Sequence, residues 1–315
     1  MKKQSILLLV IFTVLSGYAF AQTIEAPVKW KLGDTWKYKL DQRDLGGITG
    51  GDVYTTKGFQ LKVLAVNPEG KPGYTVEWKY TSYTTFYTDT LEEECAVTFK
   101  KFLLQTPIQL KLNAKGKYVS WLNKADIKKK FTTFYAQEAK KNGSQMCIES
   151  ANSMMALGGT FADYFEAHVP EIQVFFKAFG LLPAEADYKK DTTEVFQDYI
   201  LDATKTITLP KSIEMKASAI AGDAVQVSLI SRVSEPDYKK YFNQSTKAGW
   251  DKMNMTPDVR KSFDEQLEAF QPKSSESFKV VFDKKNGAVR KFDYVTEMWG
   301  MLKGGESNFY VFEQQ

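Results

Sequence analysis

The stretch GYTVEWKYTSYTTFY, residues 73–87, decides the fold class of this chain. Side chains on a strand alternate between two faces, and one face here is aromatic and apolar while the other begins polar. The first face holds Tyr74, Val76, Trp78, Tyr80, Ser82, Thr84 and Phe86. The pattern predicts a long antiparallel strand with one buried face. Such a strand would extend about 50 Å, so we expect it to coil with its sheet or to be broken near Ser82.

The same period of two continues on both sides of this stretch and predicts a sheet of many strands. Before the helical middle, strands are expected at 34–43, 58–67, 95–104, 107–112 and 116–122. After it, strands are expected around 194–209, at 212–220 and 224–232, in a hairpin over 276–298 and near 306–313. Asn286-Gly287 is the hairpin turn, because this dipeptide readily adopts the positive φ angles of a tight turn.

Two segments have helical rather than strand spacing. Residues 124–182 begin behind Asn123 as a predicted cap, and Pro170 should open a second helix there. The large rings of that helix exceed what one sheet-facing stripe uses, because Phe175 and Phe176 cannot point the same way. They predict a helix that is buried on two sides or that closes a cavity. A second helical insertion is expected near 236–270, with a helix starting at Pro257.

These elements predict an α+β fold: a curved, largely antiparallel, half-barrel-like sheet of about ten to twelve strands with helical insertions. Residues 22–315 are expected to form a single α+β domain. Its β-meander halves, about 22–123 and 190–315, would be joined by the helical segment 124–182. Both 109–123 and 278–294 read as strand, Gly-containing turn and strand, which raises the hypothesis of a meander duplication.

The N-terminus predicts export. Lys2 and Lys3 precede an apolar run that ends in Ala19-Phe20-Ala21, which is typical of a cleaved signal peptide over residues 1–21. No cysteine follows the expected cut, so there is no lipobox and we expect a periplasmic or secreted protein. In an oxidising compartment, Cys95 and Cys147 are expected to form a disulfide, with two separately buried thiols as the alternative.

Charge and motifs argue against several function classes. The 42 basic and 38 acidic residues are interspersed along the chain, which predicts no nucleic-acid partner. After residue 21, no apolar stretch is long enough for a membrane span, so the protein is not expected to be integral to the membrane. The single histidine, His168, excludes two-histidine zinc sites, and the common nucleophile and phosphate-loop motifs do not occur. We therefore predict no catalytic residue, no metal and no cofactor.

Two resemblances follow from these features. The export signal, the segment WKLGDTWKYKLD at 30–41 and the Gly-containing hairpins resemble the uncharacterised exported proteins common in Bacteroidetes. The layout of a curved sheet plugged by helices is similar to the periplasmic lipoprotein-carrier fold, in which a half-barrel holds acyl chains under helices. The second resemblance rests on architecture and carries no motif, so it implies no binding residue.

The favoured function is a non-enzymatic exported protein that binds or carries an apolar, lipid-like molecule in the periplasm. An enclosed space is expected between the aromatic face of 73–87 and helix 171–180. The predicted ligand-binding residues are Tyr74, Trp78, Tyr80, Phe86, Phe175, Phe176 and Phe179. One alternative is a protein- or glycan-interaction module with a solid core, marked by exposed aromatics such as Tyr83 and Tyr87. The other is a hydrolase with two carboxylates converging in a cleft.

Overall fold

The structure is a computed structural model that describes residues 28–45, 53–86, 90–142, 165, 168–180, 187–198, 205–220, 222–251, 255–269, 273–298 and 306–315. The predicted signal peptide, Tyr87 and Cys147 lie outside these residues. The Cys95–Cys147 disulfide therefore stays a prediction. No helix among the described residues is both long enough and apolar enough to cross a membrane.

The described residues form eleven strands and five α-helices. The strands are β1 Thr35–Leu45, β2 Val53–Val66, β3 Gly73–Phe86, β4 Ile108–Asn113, β5 Tyr118–Trp121, β6 Asp187–Asp198, β7 Lys205–Ile220, β8 Ala224–Val233, β9 Ser274–Asp283, β10 Val289–Met298 and β11 Glu306–Gln314. The helices are α1 Thr90–Gln105, α2 Lys124–Asn142, α3 Pro170–Lys177, α4 Glu235–Asp251 and α5 Pro257–Ala269.

All eleven strands belong to one antiparallel sheet in the order β5-β4-β3-β2-β1-β11-β10-β9-β8-β7-β6. The first and last strands pair in the middle, so two meanders run outward from them to β5 and β6. The sheet is curved and does not close. The predicted α+β class and the largely antiparallel sheet are confirmed, as are the hairpin between β9 and β10 and the start of α5 at Pro257.

A single core runs across the sheet because the alternation of each strand points apolar residues to the same face. One row of cross-strand neighbours on this face passes through seven strands. It consists of Lys57, Leu40, Phe312, Phe292, Val280, Val227 and Ala217, all of them buried. The single charged member of this row, Lys57, lies where α3 covers the sheet.

Helix α3 packs directly on this buried face. Its Phe175 ring lies 5.0 Å from that of Tyr38, 5.6 Å from Phe59 and 5.3 Å from Phe312, measured between centroids. Most of this helix is buried, because Glu171, Ile172, Val174, Phe175 and Phe176 are buried, while Gln173 and Lys177 are exposed.

A β-bulge in β3 changes which of its side chains face the core. Phe59 pairs with Tyr80 whereas the preceding Gly58 pairs with Ser82, so Thr81 is an extra residue. A Cβ on Gly58 would come within 2.8 Å of the Thr81 hydroxyl, so glycine suits this close approach. Beyond the bulge the alternation is inverted: Tyr83 turns inward, and Phe86 is 67% exposed. The strand is not broken near Ser82, since β3 continues to Phe86, but the bulge changes its register there. The placement of Phe86 on the buried face is wrong.

The strand expected at 95–104 is wrong, because these residues belong to α1. Phe99, Phe102 and Leu103 are buried at helical spacing, and α1 packs beside β3. A short apolar segment fits both periods, so periodicity alone does not distinguish them.

The strand expected around 194–209 is two strands, since β6 ends at Asp198 and β7 begins at Lys205. No glycine or proline between Glu194 and Leu209 marks the boundary. Asn123 precedes α2 as expected, but its side chain does not cap the helix. It accepts a hydrogen bond from the Gln109 backbone N–H (2.9 Å) and donates one to the Pro107 carbonyl (3.0 Å).

Candidate functional site

Six of the seven predicted ligand-binding residues come together in the core. Tyr74, Trp78, Tyr80, Phe175, Phe176 and Phe179 are buried members of one hydrophobic cluster. Phe86 lies apart from them for the reason given above.

The rings of this cluster contact one another. Trp78 stacks on Phe59 with centroids 3.7 Å apart, and its ring centroid lies 5.5 Å from that of Phe175. The adjoining cavity measures about 10 Å³, which is room for a single water molecule at most. It is bounded by Ile108, Trp121, Val169 and Ile172 among others. Among the described residues, the structure therefore shows no ligand-sized space between Trp78 and α3.

A larger cleft of about 460 Å³ lies on the other side of α3. It opens where the two ends of the curved sheet approach each other, with the start of β5 on one side and β7 to β9 on the other. Its lining consists of Lys117, Tyr118, Gln173, Phe176, Lys177, Lys211, Ile213, Leu229, Ser231, Glu276 and Phe278. Of the predicted ligand-binding residues, only Phe176 contributes to this lining.

The cleft receives the one open stripe of α3. Gln173 and Lys177 are the exposed residues of this helix, and they lie one turn apart. Phe176, the residue before Lys177, also lines the cleft. Leu229 and Phe278, which are neighbours across β8 and β9, form the facing wall. The cleft thus combines buried apolar walls with polar groups at its mouth.

A polar triad stands at the border of this cleft. Tyr294 donates a hydrogen bond to Glu276 Oε1 (2.6 Å), and Lys177 Nζ lies 2.9 Å from the same oxygen and 3.0 Å from the Tyr294 hydroxyl. Burial opposes ionisation of Glu276, but the hydrogen bonds from Tyr294 and Lys177 outweigh it and lower the pKa of the carboxyl group. Burial, and then the charge of Glu276, raise the pKa of Tyr294. Glu276 is therefore an anion and Tyr294 a neutral donor at neutral pH.

A second ion pair lies fully inside the core, at the other end of α3. Glu171 Oε1 is 2.7 Å from Lys57 Nζ and accepts a hydrogen bond from the Tyr80 hydroxyl (2.6 Å). Lys57 Nζ also lies 4.7 Å from the centre of the Tyr83 ring. Burial disfavours the charge on Lys57, but Glu171 and then Tyr83 outweigh it and raise the pKa of the amine. The pair holds the first turn of α3 against β2.

Sequence reasoning missed both ion pairs, although the sequence contains a signal for each. Counting back by two from Phe59 places Lys57 on the buried face, and the same count from Phe278 does so for Glu276. Glu171 shares the stripe of Phe175 on α3, since the two are four residues apart. A charged residue on an apolar stripe therefore indicates a partner on the facing element.

The structure also shows where the residues lie that would mark an interaction module or a hydrolase. Tyr83 is half-buried and packs against Tyr80 rather than standing free on the surface. Glu276 is the single carboxylate among the described residues that line the cleft. The His168 ring packs on Phe99 at 5.3 Å, and nowhere in the described ranges do three His, Cys, Asp or Glu residues gather as metal ligands.

Comparison with known proteins gives no family for this chain. A scan against protein-family models finds no match, and a search of curated proteins finds no significantly similar sequence.

Proposed function

We propose that this protein is an exported, non-enzymatic, half-barrel binding protein that holds a lipid-like molecule in the cleft between α3 and strands β7 to β9. The observation that carries the proposal is the cleft itself. Its volume of about 460 Å³ falls within the range of about 300–1,000 Å³ that ligand pockets occupy. Its walls include Phe176, Leu229 and Phe278, which are largely buried and are the apolar side chains that a hydrocarbon chain in the cleft would contact.

The position of α3 supports this proposal. The helix fills one side of the buried face with rings and leaves the other side open, so the core is complete without a ligand. A ligand can then enter and leave the cleft without unfolding the sheet. The predicted export and the architectural resemblance to lipoprotein carriers agree with such a role, and both remain expectations.

The experiment compares wild-type protein with a variant whose cleft is filled. Gln173→Trp places a large ring on the open stripe of α3, at a position where the wild-type side chain is exposed. The matched control is Val119→Trp, because Val119 is 52% exposed on β5 and is not part of the cleft lining. Binding is measured with Nile red, a neutral dye that fluoresces in apolar surroundings.

We expect saturable binding to wild-type protein and to Val119→Trp, and binding at least about tenfold weaker to Gln173→Trp, a loss near 1.4 kcal/mol. Lipid extraction of protein purified from its own host should recover an acyl compound from wild-type protein and less from Gln173→Trp. Absence of dye binding to wild-type protein, or equal binding to both tryptophan variants, would refute the proposal.

A further inference from the structure

The lining of the cleft carries more positive than negative charges. Lysines enter the lining from three separate elements: Lys117 from the turn before β5, Lys177 from the end of α3 and Lys211 from β7. A single carboxylate, that of Glu276, accompanies them. The whole chain has 42 basic and 38 acidic residues, so an excess of three cations over one anion is a local property of the lining.

Glu276 is already engaged within the protein. Its Oε1 accepts the hydrogen bond from Tyr294 and pairs with Lys177, and the charge of Lys211 also helps to lower its pKa. A cationic ligand would have to compete with Lys177 for this carboxylate. It would also face the charges of Lys117 and Lys211, whose repulsion would disfavour it.

From these observations we infer that the cleft selects a single-chain amphiphile with an anionic head group, such as a long-chain fatty acid. This inference rests on the proposed function and names the ligand class for the same cleft. The chain would lie along Phe176, Leu229 and Phe278, while the carboxylate would meet the lysines at the mouth. Lysine suits this place because its ammonium group is a mobile point charge that can follow a head group at a solvated rim.

The test uses ligands that share a chain and differ in the head group. Dodecanoate, dodecanamide and dodecylamine are anionic, neutral and cationic at pH 7.5, and each is titrated below its micelle concentration against protein loaded with Nile red. We expect dodecanoate to displace the dye at a concentration at least about tenfold lower than dodecylamine, with dodecanamide between them.

A charge-removing variant tests the lysines directly. The double substitution Lys117→Met and Lys211→Met keeps the apolar stems and removes two charges. It should weaken dodecanoate about tenfold more than it weakens dodecanamide or Nile red. The matched control is Lys62→Met with Lys279→Met, because both lysines are exposed on strands and are not part of the lining.

The outcomes separate the two proposals. If Nile red binds but dodecanoate, dodecanamide and dodecylamine displace it at equal concentrations, the inference about charge is wrong and the cleft remains a binding site. The same conclusion follows if the double variant retains full affinity for dodecanoate. If Nile red does not bind to wild-type protein, the proposed function fails and this inference fails with it.

Discussion

The two sides of α3 share one sheet and one alternation of side chains, yet one side is solid and the other open. On the side of β1 to β3, Phe175 fills the space against Tyr38, Phe59 and Trp78. On the side of β7 to β9, Phe176 and Phe278 border a cleft of about 460 Å³. Phe176 itself contacts both regions, because its ring centroid lies 6.2 Å from that of Trp78 and it also lines the cleft. An aromatic run in a sequence therefore does not by itself distinguish a core from a binding site.

The ion pairs at the two ends of α3 show the same contrast. Glu171, in the first turn, pairs with Lys57 on β2, where both side chains are almost fully buried. Lys177, in the last turn, pairs with Glu276 on β9, where the lysine is about half exposed. The negative charge of Glu171 near the N-terminus of α3 and the positive charge of Lys177 near its C-terminus both interact favourably with the helix dipole. The helix is thus attached to both halves of the sheet, firmly in the core and more loosely at the cleft.

The largest effect is expected from removing the ring that fills the solid side. Phe175→Ala leaves a cavity among fully buried rings and should lower the free energy of unfolding by about 3–5 kcal/mol. Ile213→Ala, in the half-buried cleft wall, should cost about 1 kcal/mol. Urea denaturation of the mature chain measures both. Equal losses would show that the cleft side is packed as tightly as the other and would remove the contrast.

The sheet could be predicted from the sequence because the evidence for each strand is local. Alternation such as Trp36, Tyr38 and Leu40 identifies a strand and its buried face without knowledge of the neighbours. The cleft depends on contacts that are distant in sequence, since Tyr118 and Leu229 line it from strands near opposite ends of the sheet. Its position is set by the curvature of the sheet and by the direction of the α3 rings, and neither has a local signature. The meander duplication stays a prediction.

A somewhat smaller effect is expected from breaking the buried ion pair. Lys57→Met leaves the Glu171 carboxylate buried without its counter-charge, which should cost about 3 kcal/mol. Combining it with Glu171→Gln removes the orphaned charge and keeps an acceptor for the Tyr80 hydroxyl. The double variant should therefore be more stable than Lys57→Met alone. A double-mutant cycle in urea provides the measurement, and additive losses would mean that the two groups do not interact.

The pair at the cleft predicts a modest dependence of stability on pH. Its contacts lower the pKa of Glu276 in the folded protein, so the carboxylate stabilises the fold above the ordinary glutamate pKa of about 4.3. This contribution is lost as pH falls through the lower folded value. Because Lys177 is half exposed, we expect about 1 kcal/mol or less.

Glu276→Gln should therefore be less stable than wild-type protein at pH 7 and approach it below about pH 4. Thermal unfolding between pH 7 and pH 3 measures the difference, with Glu297→Gln, an exposed position on β10, as the control. A difference that stays constant with pH would mean that the charge of Glu276 contributes nothing.

The smallest effect is expected at Phe86, and it tests the bulge that separates core from surface in β3. If β3 had no bulge at Thr81, strict alternation from Tyr80 would place Phe86 among the buried rings. Replacing Phe86 by alanine would then cost several kcal/mol. With the bulge, Phe86 is 67% exposed, and Phe86→Ala should change the free energy of unfolding by no more than about 0.5 kcal/mol. Tyr83→Ala is the matched comparison, because the bulge turns this ring against Tyr80 and Lys57, and it should cost more than Phe86→Ala. If urea denaturation shows a larger loss for Phe86→Ala than for Tyr83→Ala, the alternation changes elsewhere in β3 and Phe86 belongs to the aromatic core.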